Sequence, residues 1–176
     1  MKKRILAVLC AALLVLVGCG KPAPQEEQSP TPPPVSNEKP MESVPPEEPI
    51  QTRAAILYLP DANAEKLISV EVEVPQADLS AELDALIALL TEKSALPAGS
   101  AMCSVELADS LQLDMNTAFG EGMMSTGTTG ELLYLGALVN TVLEYTGATT
   151  VLLTVDGEPL ETGHTIYDEP LDIVVL

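Results

Sequence analysis

Apolar residues fall along this chain in three arrangements, and each predicts a different element. Ile5 to Val17 is an unbroken apolar run of 13 residues behind Lys2, Lys3 and Arg4. As a helix at 1.5 Å per residue it reaches roughly 20 Å, short of a bilayer core. A basic start and a short apolar run predict a secretory signal and not a permanent span. Far downstream the period becomes two. Arg53 to Leu59 is a strand stopped by Pro60-Asp61, and Ile68 to Val74 alternates apolar with polar residues until Pro75. Ala101, Cys103, Val105 and Leu107 alternate with Met102, Ser104 and Glu106, and Leu111, Leu113 and Met115 repeat the pattern.

Between the strands the period is helical. Leu79, Leu83, Leu86, Ile87 and Leu90 predict a first helix, capped by Asp78 or Ser80 and ending near Lys93. Leu132, Leu135, Leu138, Val139, Val142 and Leu143 predict the apolar face of a second helix, with a capping box at Thr128-x-x-Glu131 and a terminating Gly147. Gly120 to Gly130, rich in Gly, Ser and Thr, reads as the loop before it. Thr149 to Val155 is a β-prone run, Asp156-Gly157 a hairpin turn, and Leu171 to Leu176 a short final strand. The expected class is α+β in the order β-β-α-β-β-α-β, with one or two short strands trailing and two amphipathic helices packed on a mixed sheet.

The segment from Gly20 to Ile50 has no such period. It holds ten of the chain's 15 prolines and few apolar side chains, so burial cannot offset the entropy of ordering it. It is expected to be a disordered spacer, with reach of ~90 Å if extended as polyproline II. The signal run ends in Leu16-Val17-Gly18-Cys19, which resembles the lipobox of bacterial lipoproteins. That resemblance implies cleavage between Gly18 and Cys19 and a diacylglyceryl thioether on Cys19, with two acyl chains to hold the membrane. The chain thus divides into a signal peptide (1–18), a lipidated Cys19 heading a Pro/Glu-rich linker (19–50) and one domain (51–176). Its expected place is the outer face of the cytoplasmic membrane.

All 26 acidic residues lie beyond Cys19 and three of the eight basic ones precede it, leaving a formal charge of −21 from Cys19 onward. No Lys or Arg occurs after Lys93. Nucleic-acid binding, which depends on neutralising phosphates, is excluded, as is electrostatic adhesion to anionic lipid. The acidity serves solubility, or a basic partner.

Candidate chemistry is sparse. Cys10 leaves with the signal and Cys19 is acylated, so Cys103 alone cannot form an internal disulfide. Its place in an alternating strand predicts a small buried hydrophobe. The lone His164, in Glu161-Thr162-Gly163-His164-Thr165, reads as a solvated loop residue. Asp61-x-Asn63-x-Glu65 starts like a calcium loop, but Lys66 and Val72 stand where Gly and Glu are needed. No nucleophile elbow and no Gly-Lys-Ser/Thr phosphate loop occurs. No catalytic residue, metal ligand or cofactor is expected.

Three segments carry a family resemblance: Ile56-Leu57-Tyr58-Leu59-Pro60-Asp61, Leu138-Val139-Asn140-Thr141-Val142-Leu143-Glu144-Tyr145, and Val151 to Leu160 through Val-Asp-Gly. They resemble the GerMN domain family of sporulation and spore-germination proteins. Ser94-Ala95-Leu96-Pro97-Ala98-Gly99 departs from the Gly-Pro pair common there. The resemblance implies an interaction domain in envelope or spore assembly or germination, with a sporulation or envelope protein as partner and without established catalytic residues. The alternative is a peptidoglycan-directed ligand-binding or hydrolytic module.

Overall fold

The computed structural model describes residues 51–176. The signal run, the lipobox with Gly18 and Cys19, and the Pro-rich segment lie outside the described residues. β1 (Thr52–Pro60) and β2 (Leu67–Pro75) form an antiparallel hairpin in which Thr52 faces Pro75 and Pro60 faces Leu67. Its connection is tied by Asp61, whose Oδ1 accepts from the Glu65 N–H at 2.8 Å and the Lys66 N–H at 3.3 Å. The residues that suggested a calcium loop therefore shape a turn. Alternation puts Ala55, Leu57 and Val74 into the core.

Helix α1 (Leu79–Glu92) starts where Asp78 accepts from the Ala81 N–H at 3.0 Å, and it buries Leu83, Leu86, Ile87 and Leu90. Ser94 then takes a left-handed φ of 57°, and Ala95, Leu96 and Pro97 turn into the core. β3 (Met102–Leu107) and β4 (Leu111–Met115) pair antiparallel. The register shifts between Met102 and Ser104, so Cys103 is the extra residue of a bulge. Met102 and Val105 pack on the core, while Cys103 and Leu107 are exposed. Val105 faces inward as expected, whereas Cys103 does not, because the bulge breaks the period of two there; Ala101, just before the strand, and Leu107, at its end, are exposed as well.

A third helix, α2 (Thr117–Met124), occupies the first half of the stretch read as a loop. Asn116 caps it, accepting from the Phe119 N–H at 3.2 Å, and it buries Phe119 and Met123. Its glycines serve contact and not flexibility: a Cβ on Gly122 would stand 2.2 Å from the Pro97 Cβ. The next helix, α3 (Thr128–Thr146), begins at Gly127 without a side-chain cap, so the expected Thr128/Glu131 capping box does not form. Glu131 is buried instead, held by another contact described below. The helix ends at Gly147 with φ 73°. Near its start Leu133 is buried while Leu132 is 40% exposed, the reverse of the expected face. From Leu135 to Leu143 every residue is buried. This helix is central and not amphipathic: the hairpin, α1 and the C-terminal residues all pack on it.

β5 (Val151–Val155) runs parallel to β4, and β6 (Glu158–Glu161) turns back through Asp156 (φ 49°) and Gly157 (φ 83°), as Asp-Gly predicts. β7 (Ile166–Tyr167) completes a mixed sheet in the order β3-β4-β5-β6-β7. The class is α+β, as expected, with three helices. Leu171 to Leu176 is not a strand: only Leu171 bridges to Val151. The tail is held by Asn140, which donates to the Val174 carbonyl at 3.0 Å and accepts from the Val174 N–H at 2.8 Å.

Candidate functional site

The polar pair inside the most family-like helix segment is structural. Asn140 clips the tail, and its neighbour Thr141 accepts the Tyr58 N–H of β1 at 3.0 Å. That second bond closes the outer edge of β1 at one point. Farther along, the face of the β1–β2 hairpin and the last turn of α3 leave a cleft of about 520 Å³, lined by Arg53, Ala54 and Ile56 of β1, Ser69 and Glu71 of β2, and Glu144 and Tyr145 of α3.

A closed polar network floors it. Tyr145 on α3 donates to Glu82 Oε2 at 2.7 Å, and the Ala77 N–H donates to Oε1 at 3.1 Å. Arg53 reaches Glu82 Oε2 at 3.4 Å and the Tyr145 carbonyl at 3.2 Å, with its guanidinium 4.2 Å from the centre of the Tyr145 ring. The Ala77 N–H and then the Tyr145 hydroxyl hold the Glu82 carboxyl below its ordinary range. Burial first, and then Glu82, push the Tyr145 phenol up. None of this network was anticipated, since its members lie 29 and 63 residues apart. One signal existed: Glu82 sits on the Leu79/Leu83/Leu86 stripe of α1, where an acid demands a partner.

A second buried acid lies at the other end of α3. Glu131 Oε1 accepts from the Tyr167 hydroxyl at 2.6 Å, whereas Oε2 has no hydrogen-bond partner. His164 Nε2 stands 4.0 Å away, beyond hydrogen-bond reach, with its side chain 46% exposed. His164 is thus a largely solvated turn residue, as expected. Cys103 lies on the edge strand β3 and His164 in the turn between β6 and β7, three to four strand spacings or ~14–19 Å across the sheet. Partial desolvation at this exposed site, and then the carboxylates of Asp114 and Asp156, push the Cys103 thiol up.

The larger sheet presents Gln112, Asp114, Leu152 and Thr154 on its outer face. Asp114 is fixed there by the Thr154 hydroxyl at 2.6 Å and the Gly157 N–H at 2.8 Å. Among the described residues no group of three His, Cys, Asp or Glu side chains could hold a metal ion. No described helix is long and apolar enough to cross a membrane.

Comparison with known proteins places this geometry. The first GerMN domain of the sporulation protein GerM from Bacillus subtilis superposes with a TM-score of 0.54 at 18% identity, covering 69% of this chain and 98% of that one. The tandem GerMN domains of the same protein give 0.55 at 17% identity, over 69% of this chain and 46% of theirs. The chain therefore spans about half the length of the tandem structure. At such identities the likeness is one of fold. No curated protein matches the sequence. The profile of the Germane family, described as sporulation and spore germination, matches residues 56–161, from within β1 to the end of β6. The chain belongs to the Germane family of sporulation and spore-germination domains.

Proposed function

We infer that this Germane domain is held outside the cytoplasmic membrane by a diacylglyceryl group on Cys19, and that it acts in sporulation or germination by binding a partner protein. The Leu16-Val17-Gly18-Cys19 run behind a basic, apolar leader supports the anchor, and the Pro-rich segment supplies the reach. The observation that carries the non-catalytic part is the separation of Cys103 on β3 from His164 in the β6–β7 turn, at least three strand spacings away. A thiol and an imidazole that do not meet lack the proximity that nucleophilic catalysis needs.

Complementation of a deletion strain tests the reading. Cys103→Ser and His164→Ala should restore the wild-type phenotype, while Cys19→Ala should not, and tagged fatty acid should label every variant except Cys19→Ala. Removing residues 20–50 should impair function with labelling intact. A null phenotype from His164→Ala in a protein folded by circular dichroism contradicts the binding reading. Label on Cys19→Ala contradicts the anchor.

A further inference from the structure

The cleft beside Arg53 is bordered by main chain whose hydrogen bonds are unspent. In the hairpin, Gln76 N–H donates to the Gln51 carbonyl and Asp61 N–H to the Lys66 carbonyl, so odd-numbered residues of β1 turn toward β2. Even-numbered residues turn away, as the Tyr58 N–H does on its way to Thr141. Ala54 and Ile56 therefore point their N–H and C=O groups outward. Among the described residues neither forms a hydrogen bond outside the hairpin ladder. Both line the cleft, and Ala54 is exposed. A strand edge with free donors and acceptors, in a cavity large enough for side chains, is the setting for strand addition.

The charge around that edge selects its occupant. Arg53 is already engaged by Glu82, whereas Glu71 and Glu144, which also line the cleft, have no cationic partner among the described residues. The described residues hold 20 acidic and three basic side chains. A second copy would bring like charge to like. Residues 20–50 of this chain bring six glutamates and ten prolines, which lack the N–H a ladder needs.

We propose that the outer edge of β1 at Ala54 and Ile56 takes up an extended basic segment of a protein partner as an added strand, with Glu71 and Glu144 receiving its cationic side chains. This deepens the binding reading above and names the partner's chemistry. The main chain supplies affinity, and the two carboxylates favour Lys or Arg.

The test uses the full chain in detergent micelles and a seven-residue peptide alternating lysine with valine, followed by NMR of the amides. The peptide should shift the Ala54 and Ile56 resonances. Its fully N-methylated version, equal in charge, should bind about tenfold more weakly because it cannot donate. Ala54→Pro should weaken binding similarly, since its lost N–H faces away from β2 and the hairpin survives. Glu144→Lys should weaken it further. Should Ala54→Pro fail to fold, the N-methylated peptide on the unaltered protein decides alone. Equal binding of the two peptides, or no shift at Ala54 and Ile56, overturns the proposal. Shifts at these residues on diluting the protein alone assign the edge to a second copy, and shifts on deleting residues 20–50 assign it to the linker; either overturns it. Complementation by the Cys19, Cys103 and His164 variants is independent of these outcomes, so the binding reading can stand when this one falls.

Discussion

The two ends of α3 each carry a glutamate–tyrosine pair, built with opposite economy. At the C-terminal end both oxygens of Glu82 are occupied, by the Ala77 N–H, the Tyr145 hydroxyl and Arg53. At the N-terminal end Glu131 is as deeply buried but has one donor, Tyr167, and an orphaned Oε2. Its one hydrogen bond fastens the short β7 to the central helix. The fully satisfied pair lies beside a strand edge left open, whereas the half-satisfied pair lies under the exposed His164 turn. On the binding proposed for this edge, a cleft that takes up a strand without collapsing is served by a floor whose own hydrogen bonds are complete.

Breaking the element that the two ends share has the largest expected effect. Leu138→Asp places an uncompensated carboxylate in the middle of α3, at several kcal/mol, on the order of the whole stability of such a domain. Its cooperative transition in urea should disappear. Tyr167→Phe follows, because it removes the only donor to a buried carboxylate; about 3 kcal/mol is expected. Adding Glu131→Gln should restore most of that loss, since the lone charge then goes too. Tyr145→Phe should be milder, about 1.5 kcal/mol by urea denaturation, since Glu82 keeps two other donors. If Tyr145→Phe costs as much as Tyr167→Phe, the two ends are not different in the way described. Glu131→Gln alone should change stability least, within ~1 kcal/mol.

The two ends also differ in how stability falls in acid. Glu82 has its pKa lowered on folding, so its contribution is complete above its ordinary value of 4.5 and fades as pH falls through the lower folded value. Glu82→Gln should flatten the loss of stability between pH 5 and 3, and denaturant midpoints across that window check it. Tyr145 moves the opposite way, raised chiefly by burial, so it adds to stability until the pH climbs beyond 10.

Periodic elements were legible from the chain alone. The alternation in Ile68–Val74, the stripe of α1 and the Asp156-Gly157 turn all stand where local pattern put them. What escaped was set by contacts distant in sequence. Gly120 and Gly122 look like loop residues until Val155 and Pro97 are seen against them. Cys103 follows its alternating pattern until one bulge turns it out. Thr128 and Glu131 have capping-box spacing, but Tyr167 claims the glutamate. The cleft was illegible for the same reason: Arg53, Glu82 and Tyr145 converge from three elements, and an unpaired strand edge leaves no mark in a sequence.

Whether β1 keeps an open edge beside a completed polar floor is decided by amide hydrogen exchange read residue by residue in the full chain without any partner. Ala55 and Leu57 should be protected by the ladder to β2 and Tyr58 by Thr141, while Ala54 and Ile56 exchange far faster. Protection of Ala54 and Ile56 equal to that of Ala55 would mean the edge is already filled, and would contradict the account.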